Sequence, residues 1–163
     1  MSDAVVLSAH VTGEIEHWKA RFPEERQRSA VIGALLAVQH ENNGYLTAEQ
    51  MNAVAAYLDL PTIQVYEIAT FYSMFQTKPV GRHNVAICTN VSCMLRGADE
   101  LVEHVEKNLG ITLGESTADG RIYLKREEEC LAACCGAPMM MVDHKYHENL
   151  THERVDQILD ELD

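Results

Sequence analysis

The first half of the chain repeats apolar residues at the three- and four-residue spacing of amphipathic helices. In residues 22–44, Pro23 and two glutamates suit the first turn of a helix, and the apolar stripe that follows is Val31, Ile32, Leu35 and Leu36. A second stripe begins after Thr47 and Gln50, which have the spacing of a capping box, and a third begins after Pro61. The pattern therefore predicts a helical bundle over residues 1–80.

From about residue 81 the pattern changes to short alternating segments separated by amphipathic helices. The predicted elements are a strand over 84–88, a helix over 98–109, a strand over 121–127, paired strands in 138–150 and a helix over 151–163. The turn between the paired strands is expected at Asp143 and His144. A βαβ unit followed by ββα can complete one four-stranded mixed sheet. We therefore expect an α+β protein, with a helical N-terminal region (1–80) and a thioredoxin-like βαβ-ββα domain (81–163).

The charge of the chain limits its partners. Thirteen basic and twenty-five acidic residues give a net charge of −12 with the histidines neutral, a sign that disfavours nucleic acid. The N-terminal stretch lacks the basic and apolar regions of a signal peptide, and no run of about 18 apolar residues occurs. We therefore expect a cytoplasmic protein, and any association with a membrane would come through its partners.

The five cysteines form two clusters that suit metal ligation. Cys88 and Cys93 have the spacing C-x4-C, while Cys130 and Cys134 have the spacing C-x3-C and Cys135 follows directly. Adjacent cysteines and an odd number argue against a disulfide framework. In a thioredoxin-like sheet both loops lie at one end, so four sulfurs could converge. Unequal pairs favour a two-iron cluster over structural zinc, and the missing C-x-x-C disfavours a thiol–disulfide enzyme.

Two segments carry a resemblance to a known family. The segments "ATFYSMFQTKPVGRHNVAICTNVSCMLRG" and "CLAACCGAP" resemble the thioredoxin-like [2Fe–2S] subunit of respiratory complex I, the E subunit of NADH:quinone oxidoreductase. The resemblance covers roughly residues 25–160. Related domains occur in NAD-linked hydrogenases and formate dehydrogenases, so an equivalent subunit of such an enzyme is the alternative. A zinc-stabilised binding module without a redox role is the alternative from another class.

The resemblance implies one [2Fe–2S] cluster per chain, held by Cys88, Cys93, Cys130 and Cys134. It also implies an electron-transfer subunit of an oxidoreductase, with the NADH- and FMN-binding F subunit and the iron–sulfur G subunit of the same complex as partners. The chain has no G-x-G-x-x-G or Walker motif, so we expect NADH and FMN to bind only in the partner subunit. A substrate site within this chain is not expected.

Several residues near the clusters have less specific interpretations. The family usually has a glycine where this chain has Ala132, and alanine is compatible there if φ is negative. We expect Cys135 to be a packed residue, Met139 to Met141 to belong to the core, and at least one of Phe71, Tyr72 and Phe75 to be buried. His144, His147 and His152 are expected on a solvated face, and Pro138 is compatible with either a cis or a trans peptide.

Overall fold

The computed structural model describes residues 6–126 and 130–163. The chain divides into two compact units, Met1–Pro79 and Val80–Asp163. Within the described residues, no helix is long and apolar enough to cross a membrane. The predicted strand over 121–127 ends at Glu127, which lies outside the described residues.

The first unit is helical, as the periodicity predicts. Its α-helices are α1 (Ala9–Lys19), α2 (Val31–Glu41), α3 (Ala48–Tyr57) and α4 (Thr62–Phe71). Their buried faces share one core that includes Ile15, Leu35, Leu46, Val54 and Val65. The capping box at α3 is confirmed, since the Gln50 amide donates to Thr47 Oγ1 (3.2 Å) and the Thr47 amide donates to Gln50 Oε1 (2.9 Å).

The first predicted helix begins after Pro23 as expected, but its first part is not α-helical. Residues Glu24–Ala30 form a 3₁₀ segment, and the α-helix starts only at Val31. Arg26 lies outside helical geometry (φ −119°, ψ 19°), and its amide donates to the Pro23 carbonyl at 2.8 Å. Because that bond spans three residues, the chain makes a tight turn before the α-helix can begin. The helix α1 was not predicted individually, although Ser8 caps it and Val11 and Ile15 form its buried face.

The second unit contains a four-stranded mixed sheet with α-helices packed against it. Its strands are β1 (His83–Ile87), β2 (Ile122–Leu124), β3 (Met140–Val142) and β4 (Lys145–His147), in the spatial order β2-β1-β3-β4. β1 pairs with β2 in parallel and with β3 antiparallel. The predicted βαβ-ββα order and the turn at Asp143 and His144 are confirmed, and both turn residues have positive φ.

The helices of this unit are α5 (Val91–Met94), α6 (Ala98–Leu109) and α7 (His152–Asp160). Gly110 ends α6 in the left-handed conformation (φ 66°), as expected of a glycine after the last helical residue. One face of α6 and one face of α7 pack onto the sheet through Leu101, Val105, Val155 and Leu159. This main core leaves the end of β1 and the loop before β3 to form a separate small core, which contains Cys88 and Cys93.

Candidate metal centre

The first cysteine pair is fixed by regular secondary structure. Cys88 directly follows β1, and its amide donates to the Met139 carbonyl at 3.1 Å. Asn90 then caps α5 by accepting from the Val91 amide, and the Cys93 amide donates to the Asn90 carbonyl at 2.9 Å. The two side chains are almost fully buried, with 3% of Cys88 and 1% of Cys93 exposed. Strand and helix thus hold both sulfurs in defined positions.

The second pair lies in an irregular loop. Cys130, Cys134 and Cys135 are exposed, and the chain between them turns at Ala132, whose φ is 59°. The Ala132 amide donates to Cys130 Sγ at 3.3 Å. Cys134 then begins a 3₁₀ turn that ends at Gly136. The loop closes on the Ala137–Pro138 peptide, which is cis.

A small apolar core connects the two loops. It contains Cys88 and Cys93 together with Ala98, Leu131, Ala137 and Met139. Met139 is the central residue of this core, because its side chain is fully buried and its backbone bonds to the first pair in both directions. Its carbonyl accepts from the Cys88 amide, and its amide donates to the Cys93 sulfur. These two hydrogen bonds fix the end of the second loop beside the first cysteine pair.

Burial and neighbouring cysteines disfavour the charged form of Cys93. Burial, followed by a hydrogen bond with the Cys88 thiol, raises the pKa of Cys93 to about 11 from 9.0, while the Met139 amide acts in the opposite direction. The charges of Cys88 and Cys134 also raise this pKa. Negative charge at these sulfurs is thus unfavourable without a compensating cation, and a bound metal ion would supply that charge.

The structure brings only part of the predicted ligand set together. Cys93 contacts Cys88 and lies within electrostatic range of Cys134. Within residues 6–126 and 130–163, however, no three His, Cys, Asp or Glu side chains form a group that could hold a metal ion. The joint ligation by Cys88, Cys93, Cys130 and Cys134 therefore stays a prediction.

The backbone conformation of Ala132 differs from the one expected from the sequence. A negative φ was required for alanine to replace the family's glycine without strain, and the observed φ is positive. The left-handed region is disfavoured for a residue with a Cβ, which explains why glycine is common at this position. The glycine in the family's pattern was the signal that could have revealed this conformation.

The neighbouring residues follow the predictions more closely. Met139 and Met140 are buried, and Phe75 is the buried member of the aromatic group while Phe71 is exposed. His144 and His152 are exposed and His147 is half-buried. The ring of His152 also stacks on the ring of His104 in α6, with 4.4 Å between the ring centroids. Cys135 was expected to be packed, but it is exposed. The backbone role of Met139 was not predicted.

A comparison of the chain with protein families identifies its family. The family model for the thioredoxin-like [2Fe–2S] ferredoxin matches residues 15–163. The chain belongs to this family. The family assignment confirms the thioredoxin-like α+β fold, and it supports a [2Fe–2S] cluster as the group that the sulfur-rich site would hold.

Curated relatives and a solved structure extend this result. The chain is 45% identical over 147 residues to NADH-quinone oxidoreductase E subunit 2 of Rhizobium meliloti, covering 90% of this chain and 85% of the relative. It is 40% identical over 141 residues to the E subunit of the Rickettsia felis NADH-quinone oxidoreductase, covering 86% and 84%. An NAD⁺-reducing [NiFe]-hydrogenase matches with a TM-score of 0.67 and 25% identity over 77% of this chain. The chain spans only 22% of that hydrogenase chain.

The donor set fits an iron–sulfur cluster chemically. The five cysteines all lie in the described part of the chain, and none of them forms a disulfide there. Thiolate sulfur is the ligand that two-iron clusters use. The first pair is buried beside apolar side chains and the second is exposed. One side of the group would thus be shielded from water, and the other would be open to metal entry or to a partner.

Proposed function

We propose that this chain is an electron-transfer subunit of an NADH-quinone oxidoreductase. Cys88, Cys93, Cys130 and Cys134 would hold a single [2Fe–2S] cluster. The observation that carries the proposal is the buried Cys88–Cys93 pair within a chain of this family, with Cys134 near enough for its charge to act on Cys93. When bound, the cluster accepts and donates single electrons.

The C-x3-C spacing favours Cys134 over Cys135 as the fourth ligand. The charge of Cys134 also raises the pKa of Cys93, as expected of a sulfur close to the first pair. Cys134 also begins the 3₁₀ turn. After this turn the chain continues through Ala137 and Pro138 to Met139. Cys135 therefore has no assigned role at the cluster.

The residues of the chain would set the environment of the cluster rather than react with a substrate. Met139 and Leu131 exclude water from the side of Cys88 and Cys93. The amides of Met139 and Ala132 each direct an N–H group at a ligand sulfur, one in each pair. Such hydrogen bonds and the local exclusion of water are the means by which a protein adjusts the reduction potential of a cluster.

Metal analysis of anaerobically purified protein tests this proposal. The expected result is two irons and two acid-labile sulfides per chain, on the stoichiometry of a two-iron cluster, with an EPR signal that appears only after dithionite reduction. Zinc in place of iron, with no EPR signal, would favour the zinc-stabilised module and contradict electron transfer. Cys88→Ser and Cys130→Ala should lose most of the iron, and Cys135→Ala should retain it. Equal loss in all three would contradict the ligand assignment.

The partner that we propose is the equivalent of the F subunit, which would bind NADH and FMN, with the G subunit in the same complex. The relatives are subunits of NADH-quinone oxidoreductases by name, which supports a multisubunit assembly. We place the docking surface on the helical unit, where Ile63 and Phe71 of α4 are 63% and 79% exposed. Exposed apolar side chains of this size are common at protein interfaces.

Surface variants of the full chain test the docking surface. The double variant Ile63→Ser/Phe71→Ser should reduce co-purification with the flavoprotein subunit while its iron content stays at the wild-type level. The control is Tyr146→Ser, which removes an exposed side chain from β4 of the second unit, outside α5 and the cysteine loops. Unchanged co-purification of the first variant, or an equal loss in the control, would contradict a docking surface on α4.

The second candidate is the equivalent subunit of an NAD-linked hydrogenase. The specific observation in its favour is the structural match to an NAD⁺-reducing [NiFe]-hydrogenase. The curated relatives carry the other name at higher identity. Purification of the native complex separates the two candidates, since quinone reduction by NADH is expected only in the first and hydrogen oxidation only in the second.

A further inference from the structure

A buried glutamine holds the last segment of the helical unit. Gln39 lies near the end of α2 and is only 7% exposed. Its Nε2 donates to the Met74 carbonyl at 3.0 Å, and its Oε1 accepts from the Gln76 amide at 2.8 Å. The Gln76 carbonyl in turn accepts from the Leu46 amide at 2.7 Å. Both ends of one side-chain amide thus bind backbone that lies 35 and 37 residues further along the chain.

The second unit is anchored at its first residues. The Gly81 amide donates to Ser116 Oγ at 3.0 Å. Gly81 also lies so close to the backbone of Ile122 that a Cβ there would be 2.4 Å from it. Residues 77–80, between the two anchors, contain the boundary of the two units and form neither helix nor strand. These residues, which we call the tether, are thus the only part of the connection without an anchor described here.

The length of the tether depends on Gln39, because Gln39 fixes the residue at which the tether begins. From Gln76 to Gly81 an extended chain reaches at most about 18 Å. Release of the segment held by Gln39 would let the chain from Tyr72, the C-cap of α4, to Gly81 reach about 32 Å. The effective concentration of one unit near the binding site of the other falls with about the −3/2 power of tether length, which is roughly a two- to threefold change here.

The two bonds of Gln39 make release of the segment unfavourable. Phe75 also holds the segment, since its side chain is 6% exposed and packs in the core of the helical unit. The Gln39 bonds fix the backbone on either side of Phe75. Without them the Met74 carbonyl and the Gln76 amide would lose their partners in part-buried positions, which costs more than the bonds themselves contribute. The segment would then leave the helical unit more often.

We infer that Gln39 is a positioning residue for electron transfer: it keeps the tether short, so that a helical unit docked on the partner subunit holds the cluster-binding unit near its electron partner. This inference rests on the proposed function, in which the docking surface and the cluster belong to different units of the chain. Gln39 acts in this scheme only through the tether, and the reduction potential of the cluster does not depend on it.

Three variants of the full chain test the inference. Gln39→Ala removes both side-chain bonds, so the Gln76 amide should exchange with solvent on the order of tenfold faster, while amides inside α2 change less. If that variant does not fold, Gln39→Asn replaces it, because its shorter amide cannot reach both partners. Insertion of Gly-Ser-Gly-Ser between residues 78 and 79 lengthens the tether with Gln39 intact. Val54→Ala is the matched control, since it removes a buried side chain of α3 and keeps both Gln39 bonds.

NMR on the full chain gives amide exchange and the rotational correlation time of each unit. The insertion should shorten both correlation times and slow reduction of the cluster by NADH in the purified complex about two- to threefold, at wild-type iron content and midpoint potential. Gln39→Ala should change both quantities in the same direction, and Val54→Ala should change neither.

Wild-type correlation times in the insertion variant would overturn the inference, as would wild-type exchange of the Gln76 amide in the Gln39 variant. Equal slowing of cluster reduction in Val54→Ala would also overturn it, because the effect would then follow from lost stability alone. A wild-type cluster that NADH does not reduce would instead refute the proposed function. The exchange rates and correlation times do not require the cluster, so they would still decide whether Gln39 sets the length of the tether.

Discussion

Two adjacent methionines allow the small core around the cysteines to be tested separately from the main core of the sheet. Met139 and Met140 are both fully buried, with 0% of each side chain exposed. Side chains alternate along an extended chain, so Met139 packs with Cys88 and Cys93 while Met140 packs under the sheet with Val85. We predict that Met139→Ala and Met140→Ala cost similar stability and differ in their effect on the cysteines.

The magnitude follows from the burial. Replacing a fully buried methionine with alanine removes its apolar contacts and leaves a cavity, which costs about 2–5 kcal/mol of unfolding free energy. Either variant would lose a large fraction of the total stability of a typical domain, which is about 5–15 kcal/mol. Only Met139→Ala opens space beside Cys88 and Cys93, because only this side chain belongs to their core.

The assay has two parts. Urea unfolding gives the stability of each variant, and a chelator assay on reconstituted protein, performed without urea, gives the rate of iron release. We expect similar losses of stability in the two variants and faster iron release in Met139→Ala only. Faster release in both variants, in proportion to their stability, would show that the cluster responds to global unfolding and that the small core has no separate role. Iron release at the wild-type rate in Met139→Ala would refute shielding by this residue.

Three further predictions concern the stability of the two units. Gly81→Ala should cost about 3 kcal/mol or more in a urea titration, because the new Cβ would lie 2.4 Å from the Ile122 carbonyl carbon; Gly13→Ala, with open space around it, is the control and should not destabilise. Thr47→Ala should cost about 1 kcal/mol through loss of the capping box, and Thr47→Ser should restore most of it; equal urea midpoints for the two would contradict this. Burial and nearby cationic side chains lower the pKa of His147 from 6.5, so the unfolded chain binds this proton more readily than the folded chain does. The stabilisation is then complete above pH 6.5 and is lost as the pH falls toward the lowered value, and His147→Gln should weaken this dependence in urea midpoints measured on either side of pH 6.5.

Elements that depend on local chemistry were predictable from the sequence. The capping box of Thr47 and Gln50 requires only residues three apart, and the stop at Gly110 requires only the conformational freedom of glycine. The turn at Asp143 and His144 follows from its position between the apolar run at Met139–Met141 and the segment that pairs with it. In each case the interacting groups are close in sequence, so the pattern contains the cause.

Features that depend on distant residues or on a single torsion were not predictable in the same way. The sequence before Val31 looks helical, yet Arg26 leaves helical geometry and the chain turns first. The role of Met139 depends on contacts with Cys88 and Cys93, which precede it in the chain by more than 45 residues. The φ of Ala132 is positive, although a negative φ was expected. An alanine gives no local indication of a positive φ, because residues with a Cβ rarely adopt one.

The two cysteine pairs are therefore held by different physical means. The first pair depends on burial: β1, α5 and the small core fix Cys88 and Cys93, so changes in packing around Met139 act on it directly. The second pair depends on the backbone at Ala132, whose side chain is exposed and contributes little to any core. Substitutions at Met139 should consequently change both stability and iron release, whereas Ala132→Gly should change iron release with a smaller effect on global unfolding. Because Met139 and Ala132 contact different sulfurs, the effects of Met139→Ala and Ala132→Gly on iron release should be close to additive in the double variant. A strongly non-additive double variant would mean that the two pairs are already coupled through one packed unit.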